Sequence, residues 1–346
     1  MTADCSVTSE YQHHRVPAIS VVIPLYNKER EVERAIRSVL AQTFEDYELI
    51  VVNDGSNDKG PEIVSGMKAP RIRIIHQENQ GVSAARNRGI EDANSDLIAF
   101  LDADDEWLPD FLETIDRLRR DFPSCSVFAT NYFYRNVDGS LMPTIIRGLP
   151  AARWEGIIEN YFEVASQSEP PIMSSAVAIG KDALKLVGGF PTGVTAGEDL
   201  LTWAKLASKY QIAYSAQASA IFYLRQSLWG PPTRFPDSVD IVGQELERIL
   251  NNGVKEKTTG LEEYIAHWHQ MRASVFLRLG KRKEAISEVK KIAKYSNKNS
   301  RIYPFFAMAL LPRRISTWVL KAEHYLKYNQ RKRIPFDNSV AISNFK

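Results

Sequence analysis

From residue 18 onward, short unbroken apolar runs alternate with stretches whose apolar residues recur every three or four positions. Residues 19–24 are a β-branched run that predicts a strand. Residues 29–42 follow with Val32, Ala35, Ile36, Val39 and Leu40 on one helical face and Asn27 as the expected cap. Residues 47–53 predict a second strand closed by Asp54-Gly55-Ser56, residues 71–76 a third, and residues 83–94 a helix. Residues 97–101 form an apolar strand that runs into Asp102, Ala103, Asp104 and Asp105, after which Trp107, Leu108 and Pro109 are expected to open a helix that covers 111–120. The middle of the chain is less regular. A strand at 126–135, an Asp138-Gly139 turn and a partner at 141–146 read as a hairpin, and residues 154–165 and 182–187 read as helical. Gly188-Gly189-Phe190-Pro191 breaks the chain before Gly197, Glu198 and Asp199, which open an amphipathic helix through Leu200, Trp203, Leu206 and Ala207.

Apolar runs joined by helices imply an α/β fold whose mixed, mostly parallel sheet is covered by helices, with ligands collecting beyond the carboxyl ends of the strands. Asp54 and Asp102 both stand at such ends, so two distant motifs should meet in one crevice. Past Gly230-Pro231-Pro232 the composition shifts to helix, and residues 261–279 and 283–295, joined at Gly280-Lys281, read as a helical hairpin with a passing likeness to one tetratricopeptide unit. The expected organisation is a flexible arm at 1–17, two halves of one domain at 18–110 and 111–235, and a basic helical appendage at 236–346.

Three carboxylates at the end of a buried strand cost several kcal/mol unless a cation offsets them. A divalent ion such as Mg²⁺ or Mn²⁺ is the simplest compensation, since hard oxygen ligands suit it and its open positions accept phosphate oxygens. The competing reading is a solvated acidic helix start. In Asn79-Gln80-Gly81 followed by Arg86-Asn87-Arg88-Gly89, small residues permit close approach of a nucleotide and a guanidinium can pair with its anionic oxygens, which singles out Gly81 and Arg86. Arg88 sits at helical spacing from Glu91 and Asp92 and reads as a surface ion pair. The spacing G-x-G-x-x-G is absent, which argues against a nicotinamide enzyme.

Composition narrows the class further. The 346 residues are 44% hydrophobic and 25% charged, and no stretch approaches the roughly 20 apolar residues of a membrane span. Cys5 and Cys125 are too few for a disulfide scaffold, and cytoplasm is the expected compartment. Residues 251–346 hold 20 Lys+Arg against 7 Asp+Glu, a net of +13, which leaves 24 against 35, or −11, for residues 1–250. In the tail, Ile302, Phe305, Phe306, Leu310, Leu311, Trp318, Val319 and Leu320 lie among Arg313, Arg314 and Lys321. That interleaving suits packing on the helical hairpin, and it also suits a helix resting on an anionic bilayer, peripheral to the inner membrane surface. No nucleic-acid partner is expected. His267 and His269 lie two apart on a helix and face different directions, which argues against a metal site there.

The run SVVIPLYNKEREVERAIRSVLAQTFEDYELIVVNDGSND, then NQGVSAARNRGIEDANSDLIAFLDADDEWLPDFL, and finally GGFP with GEDLLTWAKLA, closely resembles the family 2 glycosyltransferases of the GT-A (Rossmann-like) fold over roughly residues 18–225. The resemblance implies an inverting, metal-dependent enzyme that moves a sugar from a nucleotide diphosphate donor to an acceptor hydroxyl. By that match, Pro24, Leu25 and Tyr26 wall the base pocket, Asp54 reads the base edge, Gly81, Arg86 and Ala103 neighbour the nucleotide, and Asp102 contacts the ribose or a metal-bound water. Asp104 should hold the Mn²⁺ or Mg²⁺, Asp199 should be the catalytic base, Glu198 is expected to orient the acceptor or hold the loop, and Trp203 is expected on the acceptor side. An ionised Asp54 only accepts hydrogen bonds, which suits the ring N–H of uracil or thymine and points to a UDP-sugar donor.

Two departures qualify the resemblance. Tyr223-Leu224-Arg225-Gln226-Ser227 lacks the additional histidine ligand of some relatives, and Gln226-Ser227-Leu228-Trp229 lacks the arginine of processive polysaccharide synthases, which favours transfer of one sugar per encounter. The acceptor implied is a glycan or a lipid-linked glycan, as in polysaccharide biosynthesis. The alternative is a catalytically silent scaffold that binds nucleotide-sugar or glycan.

Overall fold

The computed structural model describes residues 16–150, 153–224, 235–296 and 299–311, together with 315, 316, 318–320 and 322. Most of the expected arm, the segments at 225–229, and Arg313, Arg314 and Lys321 lie outside the described residues.

The chain runs β1 (Ile19–Leu25), α1 (Val32–Leu40), β2 (Tyr47–Asp54), α2 (Gly60–Gly66), β3 (Ile72–Gln77), α3 (Val82–Asp92) and β4 (Leu97–Phe100). It continues through β5 (Glu106–Trp107), α4 (Phe111–Asp121), β6 (Val127–Arg135), β7 (Leu141–Pro143), β8 (Glu155–Ile157), α5 (Tyr161–Gln167), β9 (Val177–Gly180), α6 (Lys181–Leu186), α7 (Glu198–Ala207) and β10 (Ile212–Tyr223). Helices α8 (Ile241–Asn252), α9 (Leu261–Leu279), α10 (Arg282–Tyr295) and α11 (Asn299–Leu310) complete it. One sheet has the order β3-β2-β1-β4-β9-β6-β10-β5, with β7 beside β6 and β8 beside β10. Its first four strands are parallel, and β9 runs antiparallel to both β4 and β6.

The apolar runs are unbroken because the strands are buried on both faces. In β1, Val22 faces one core while Ile19, Val21, Ile23 and Leu25 face the other, and Val52 and Val51 divide in the same way along β2. Helices α1, α2 and α4 cover the second face, and α3, α5, α6 and α7 cover the first. Helix α3 lies flush on the sheet because residue 89 is glycine: a Cβ there would sit 2.3 Å from Val22 Cγ1.

Three expectations change. Trp107 does not open a helix; Glu106 and Trp107 form β5, a two-residue antiparallel pairing with β10, and the helix begins at Phe111. Asn27 is not a helix cap, since α1 starts five residues later; with φ at 52° it turns the chain, and its Oδ1 accepts the Asn57 N–H at 2.9 Å. Glu155-Gly156-Ile157 is strand β8 and only the later part of the expected helix at 154–165 forms, as α5. The expected C-terminal helices are present, and Val242, Leu246, Leu261, Tyr264, Ile265 and Trp268 of α8 and α9 pack into the core of the first sheet face. The other side of α9 presents Ala266, Ala273, Phe276 and Leu277 to α10 and α11 in a small core of their own. The expected turn at Gly280 is present, with φ at 77° and the Lys281 N–H bonded to Phe276 O at 2.9 Å, a helix stop that favours glycine.

Candidate active site

Three strand ends and one helix start build a single corner. After β4, Asp102 and Asp104 are partly exposed while Ala103 and Asp105 are buried, so successive side chains alternate between the crevice and the interior. Asp105 does not cap the next helix. Its Oδ2 accepts the Ser175 hydroxyl at 2.5 Å and its Oδ1 accepts the Tyr223 N–H at 3.0 Å, which anchors the end of β10 to the acidic segment. Ser175 Oγ also accepts the Asp102 N–H at 3.1 Å, and its carbonyl accepts Trp107 Nε1–H at 2.7 Å. Burial, then the neighbouring charges of Asp104 and Asp102, hold the Asp105 carboxyl well above the ordinary carboxylate range.

Asp104 Oδ2 lies 3.2 Å from Lys28 Nζ, and Arg34 Nη2 donates to the Asp104 carbonyl at 2.5 Å. Burial pushes the Asp104 carboxyl up to about 7, with Asp102 and Glu31 adding to the shift. A carboxylate at that value is short of positive charge even beside Lys28, and this fits residues that would hold a divalent cation. The Arg34 guanidinium also lies 3.6 Å over the Tyr223 ring, so the end of β10 closes the corner.

Arg86, on α3, joins this corner to the start of α7. Its side chain is 3% exposed, Nη2 donates to Asp102 Oδ1 at 2.7 Å, and Nη1 lies 3.9 Å from Glu198 Oε1. Burial lowers its pKa, and Asp102, Glu198 and Asp199 together outweigh that and leave it above the ordinary value. Beneath the guanidinium is the Phe190 ring at 5.0 Å, which meets Trp203 edge-on at 5.7 Å and Phe100 at 5.2 Å. Asn87 fixes that ring: its amide donates to Phe190 O at 2.8 Å and accepts Phe190 N–H at 2.8 Å. The motifs around residues 86, 102, 190 and 198 therefore converge.

Both residues expected on the acceptor side are interior. Trp203 is fully buried in the apolar layer, so it supports the crevice from below and has no surface to offer an acceptor. Glu198 is 2% exposed and faces Arg86, which suits holding the loop. Asp199 is partly exposed, and its Oδ1 accepts the Leu200 N–H at 2.7 Å.

The residues expected on the nucleotide side gather at the ends of β1 and β2. Pro24 and Leu25 are buried and Tyr26 is 47% exposed at the rim. Asp54 is 2% exposed and accepts from Gln77 Nε2 at 2.7 Å, Gln80 N–H at 2.9 Å and Gly81 N–H at 2.8 Å. Gly81, with φ at 91°, has nothing within 4 Å of where a side chain would start, so a ligand can approach the backbone there. Lys28, Arg34, Ser175, Asn87 and Tyr223 were not legible as site residues; only Asn87, inside the Arg86 motif, carried a local signal.

Elsewhere, Asp240, His269 and Glu288 bring donor atoms within 4.8 Å of one another, beside a cavity of about 750 Å³. His269 reaches these carboxylates from α9 without help from His267. Arg272 Nε lies 3.5 Å from Asp240 Oδ2 and 3.3 Å from Glu288 Oε1, and Lys291 Nζ lies 3.7 Å and 3.5 Å from the same atoms. Two cations already match the two carboxylates, so the cluster is an ion-pair network.

Residues 20–167 match the family model described as Glycosyl transferase family 2. An uncharacterized glycosyltransferase of Rickettsia conorii is 34% identical over 196 residues, which are 56% of this chain and 31% of that protein. The uncharacterized glycosyltransferase YibD of Escherichia coli is 44% identical over 99 residues, 28% of this chain and 29% of that protein. The match thus spans about a third of the length of these curated relatives. Among solved structures, S. aureus TarS 1-349 in complex with UDP-GlcNAc covers 92% of this chain and 93% of its own at 19% identity, with a TM-score of 0.64. The mannosyltransferase PcManGT from Pyrobaculum calidifontis, in complex with GDP-Man and Mn²⁺, covers 88% and 84% at 19% identity, with a TM-score of 0.54. The fold is that of GT-A glycosyltransferases, including the C-terminal helices.

Proposed function

We propose that the chain is an inverting, metal-dependent glycosyltransferase that transfers one sugar per encounter from a UDP-sugar to a hydroxyl of a glycan or lipid-linked acceptor. The observation that carries this reading is the Arg86 bridge, which brings the acidic corner after β4 within reach of the Glu198-Asp199 helix start. Asp54 uses three of its roughly four acceptor sites within the protein, and the remaining one matches a single N–H donor such as that of a uracil ring. Tyr26 stacks on the base from the rim, Pro24 and Leu25 back it, and the open backbone at Gly81 admits the nucleotide. Asp102 and Ala103 border the ribose. Mn²⁺ or Mg²⁺ would be held by Asp104, and when bound it neutralises charge on the departing diphosphate. Asp199 takes the proton of the acceptor hydroxyl as that oxygen attacks the anomeric carbon from the face opposite the leaving group. Glu198, held by Arg86, keeps the base loop in place.

The reading extends to the tail. Tyr303, Phe306 and Leu310 are exposed along α11 while Phe305, Met308 and Ala309 pack inward, and the tail's excess of 13 positive charges complements an anionic membrane on the cytoplasmic side. Among the described residues no helix is long and apolar enough to cross a membrane.

Calorimetric titration with UDP in the presence and absence of Mn²⁺ tests the assignment. Wild-type protein should bind UDP more tightly with Mn²⁺, and Asp104→Ala should lose that enhancement; an undiminished enhancement in the variant would overturn the metal assignment.

A further inference from the structure

We infer that Trp268 and Tyr264, on the C-terminal helix α9, are positioning residues for Asp199, holding the backbone on either side of it from behind. The inference rests on the reading of Asp199 as the base.

Gly197 precedes the base helix with φ at 86°, and a side chain there would begin 2.6 Å from Trp268 Cη2 and 2.7 Å from Cζ3. The indole therefore lies directly on the backbone two residues before Asp199. On the other side, Tyr264 donates its hydroxyl to Leu200 O at 3.3 Å. Both rings are almost wholly buried, at 6% and 4% exposure.

The indole is itself held in place. Its Nε1 donates to Asp240 Oδ1 at 3.0 Å, and the same oxygen caps α8 by accepting Gly243 N–H at 3.0 Å. Asp240 is locked in turn by His269, Arg272 and Lys291, each within 3.7 Å of its Oδ2, while Glu288 accepts from His269 Nδ1 at 2.7 Å. A chain of buried contacts thus runs from the ion-pair network through Asp240 and Trp268 to Gly197 and the base. The electrostatics agree, because the charge of Asp199 adds to burial in raising the pKa of both Tyr161 and Tyr264. None of α9 lies within the segment matched by the family model, which ends at residue 167. A general base must meet its proton within a few tenths of an ångström, and misplacement by about 1 Å costs on the order of a hundredfold in rate.

The test compares full-length wild type, Trp268→Ala, Trp268→Phe, Tyr264→Phe and Asp199→Asn. Hydrogen exchange of the 195–203 amides is read alongside UDP release from UDP-GlcNAc with Mn²⁺ between pH 5.5 and 9. Trp268→Ala and Tyr264→Phe should speed exchange of the amides near 197–201 about tenfold. They should also lower kcat by roughly ten- to a hundredfold with the donor KM within twofold, and alter the acid limb of the kcat profile. Trp268→Phe, which keeps the ring on Gly197, should recover most of the rate. If Trp268→Ala does not fold, Tyr264→Phe carries the comparison, through both exchange and kcat. Exchange and kcat within twofold of wild type in both substituted positions, with Asp199→Asn inactive, would overturn the inference. Wild-type turnover in Asp199→Asn would instead bring down the base assignment, and the inference with it.

Discussion

Arg86 and Glu198 face each other across 3.9 Å in the interior while Arg86 also binds Asp102 at 2.7 Å, so one guanidinium serves carboxylates that stand 96 positions apart in the chain. Only a long, permanently charged side chain can do this at 3% exposure. Replacing it by Met leaves two carboxylates facing each other without their cation. We expect Arg86→Met to lose about 3 kcal/mol of stability in urea denaturation, the scale for breaking a buried pair. A loss under roughly 0.5 kcal/mol would mean that water already screens the pair.

Gly89 sets two known effects against each other. Alanine in a helix interior gains about 1 kcal/mol over glycine, whereas overpacking a tight core costs about 1–3 kcal/mol. The Cβ of residue 89 would fall 2.3 Å from Val22 Cγ1 and 2.9 Å from Cγ2 in the middle of β1, so packing should win. We expect Gly89→Ala to be destabilising by about 1 kcal/mol or more by thermal denaturation; a stabilised variant would show that α3 can lift off the sheet at little cost.

How much of this was legible in the sequence follows from local chemistry. The strands β1 to β4 and helices α1, α3 and α7 stand out because β-branched runs and helical periodicity agree with their tertiary positions. Strand β10 does not. Its sequence from Ile212 is rich in Ala and Ser, residues that carry no strand signal, and its register shifts between Ser215 and Ala220 show how irregular the pairing is. Glu155-Gly156-Ile157 is too short to show an alternation. Asp102 and Asp104 stood out because carboxylates at the end of a buried strand are costly, and Asp199 only through the resemblance of its Gly197-Glu198-Asp199 motif. Lys28, Arg34 and Ser175 were not, because a basic or hydroxyl side chain in a loop has no local mark of its distant partner. Trp203 misled for the opposite reason: an aromatic on a helix next to a proposed base looks the same whether it faces the crevice or the core.

The shared core of α8 and α9 with the sheet makes the C-terminal helices part of the folding unit. Ending the chain after residue 235 removes six buried side chains, Val242, Leu246, Leu261, Tyr264, Ile265 and Trp268, from that core. At about 1.5–3 kcal/mol each, their loss is on the order of 10 kcal/mol, comparable with the whole stability of a typical domain. We expect residues 1–235 to lack a cooperative thermal transition, and a sharp transition near that of the full chain would show that the sheet core holds without α8 and α9.

Glu288 gives the ion-pair network a pH signature. Burial raises its pKa, but the hydrogen bond from His269 and the charges of Arg272 and Lys291 outweigh this and leave it below the ordinary value. A depressed carboxyl contributes stability above its unfolded pKa of about 4.3, and that contribution is lost as pH falls through the folded value. Glu288→Gln should therefore be less stable than wild type at pH 7, with the difference shrinking steadily below about pH 4. A difference independent of pH would show that packing, and not charge, accounts for the loss.

The most direct test of the proposed chemistry is the turnover of Asp199→Asn, measured as UDP release from a nucleotide-sugar donor with Mn²⁺ alongside its affinity for UDP. The substitution keeps the size of the side chain and the hydrogen bond that position 199 accepts from Leu200 N–H while removing its basicity. We expect UDP affinity within twofold of wild type and turnover reduced by at least about a thousandfold, in the range general-base removal produces. Turnover within tenfold of wild type at unchanged affinity would contradict the assignment of Asp199 as the base.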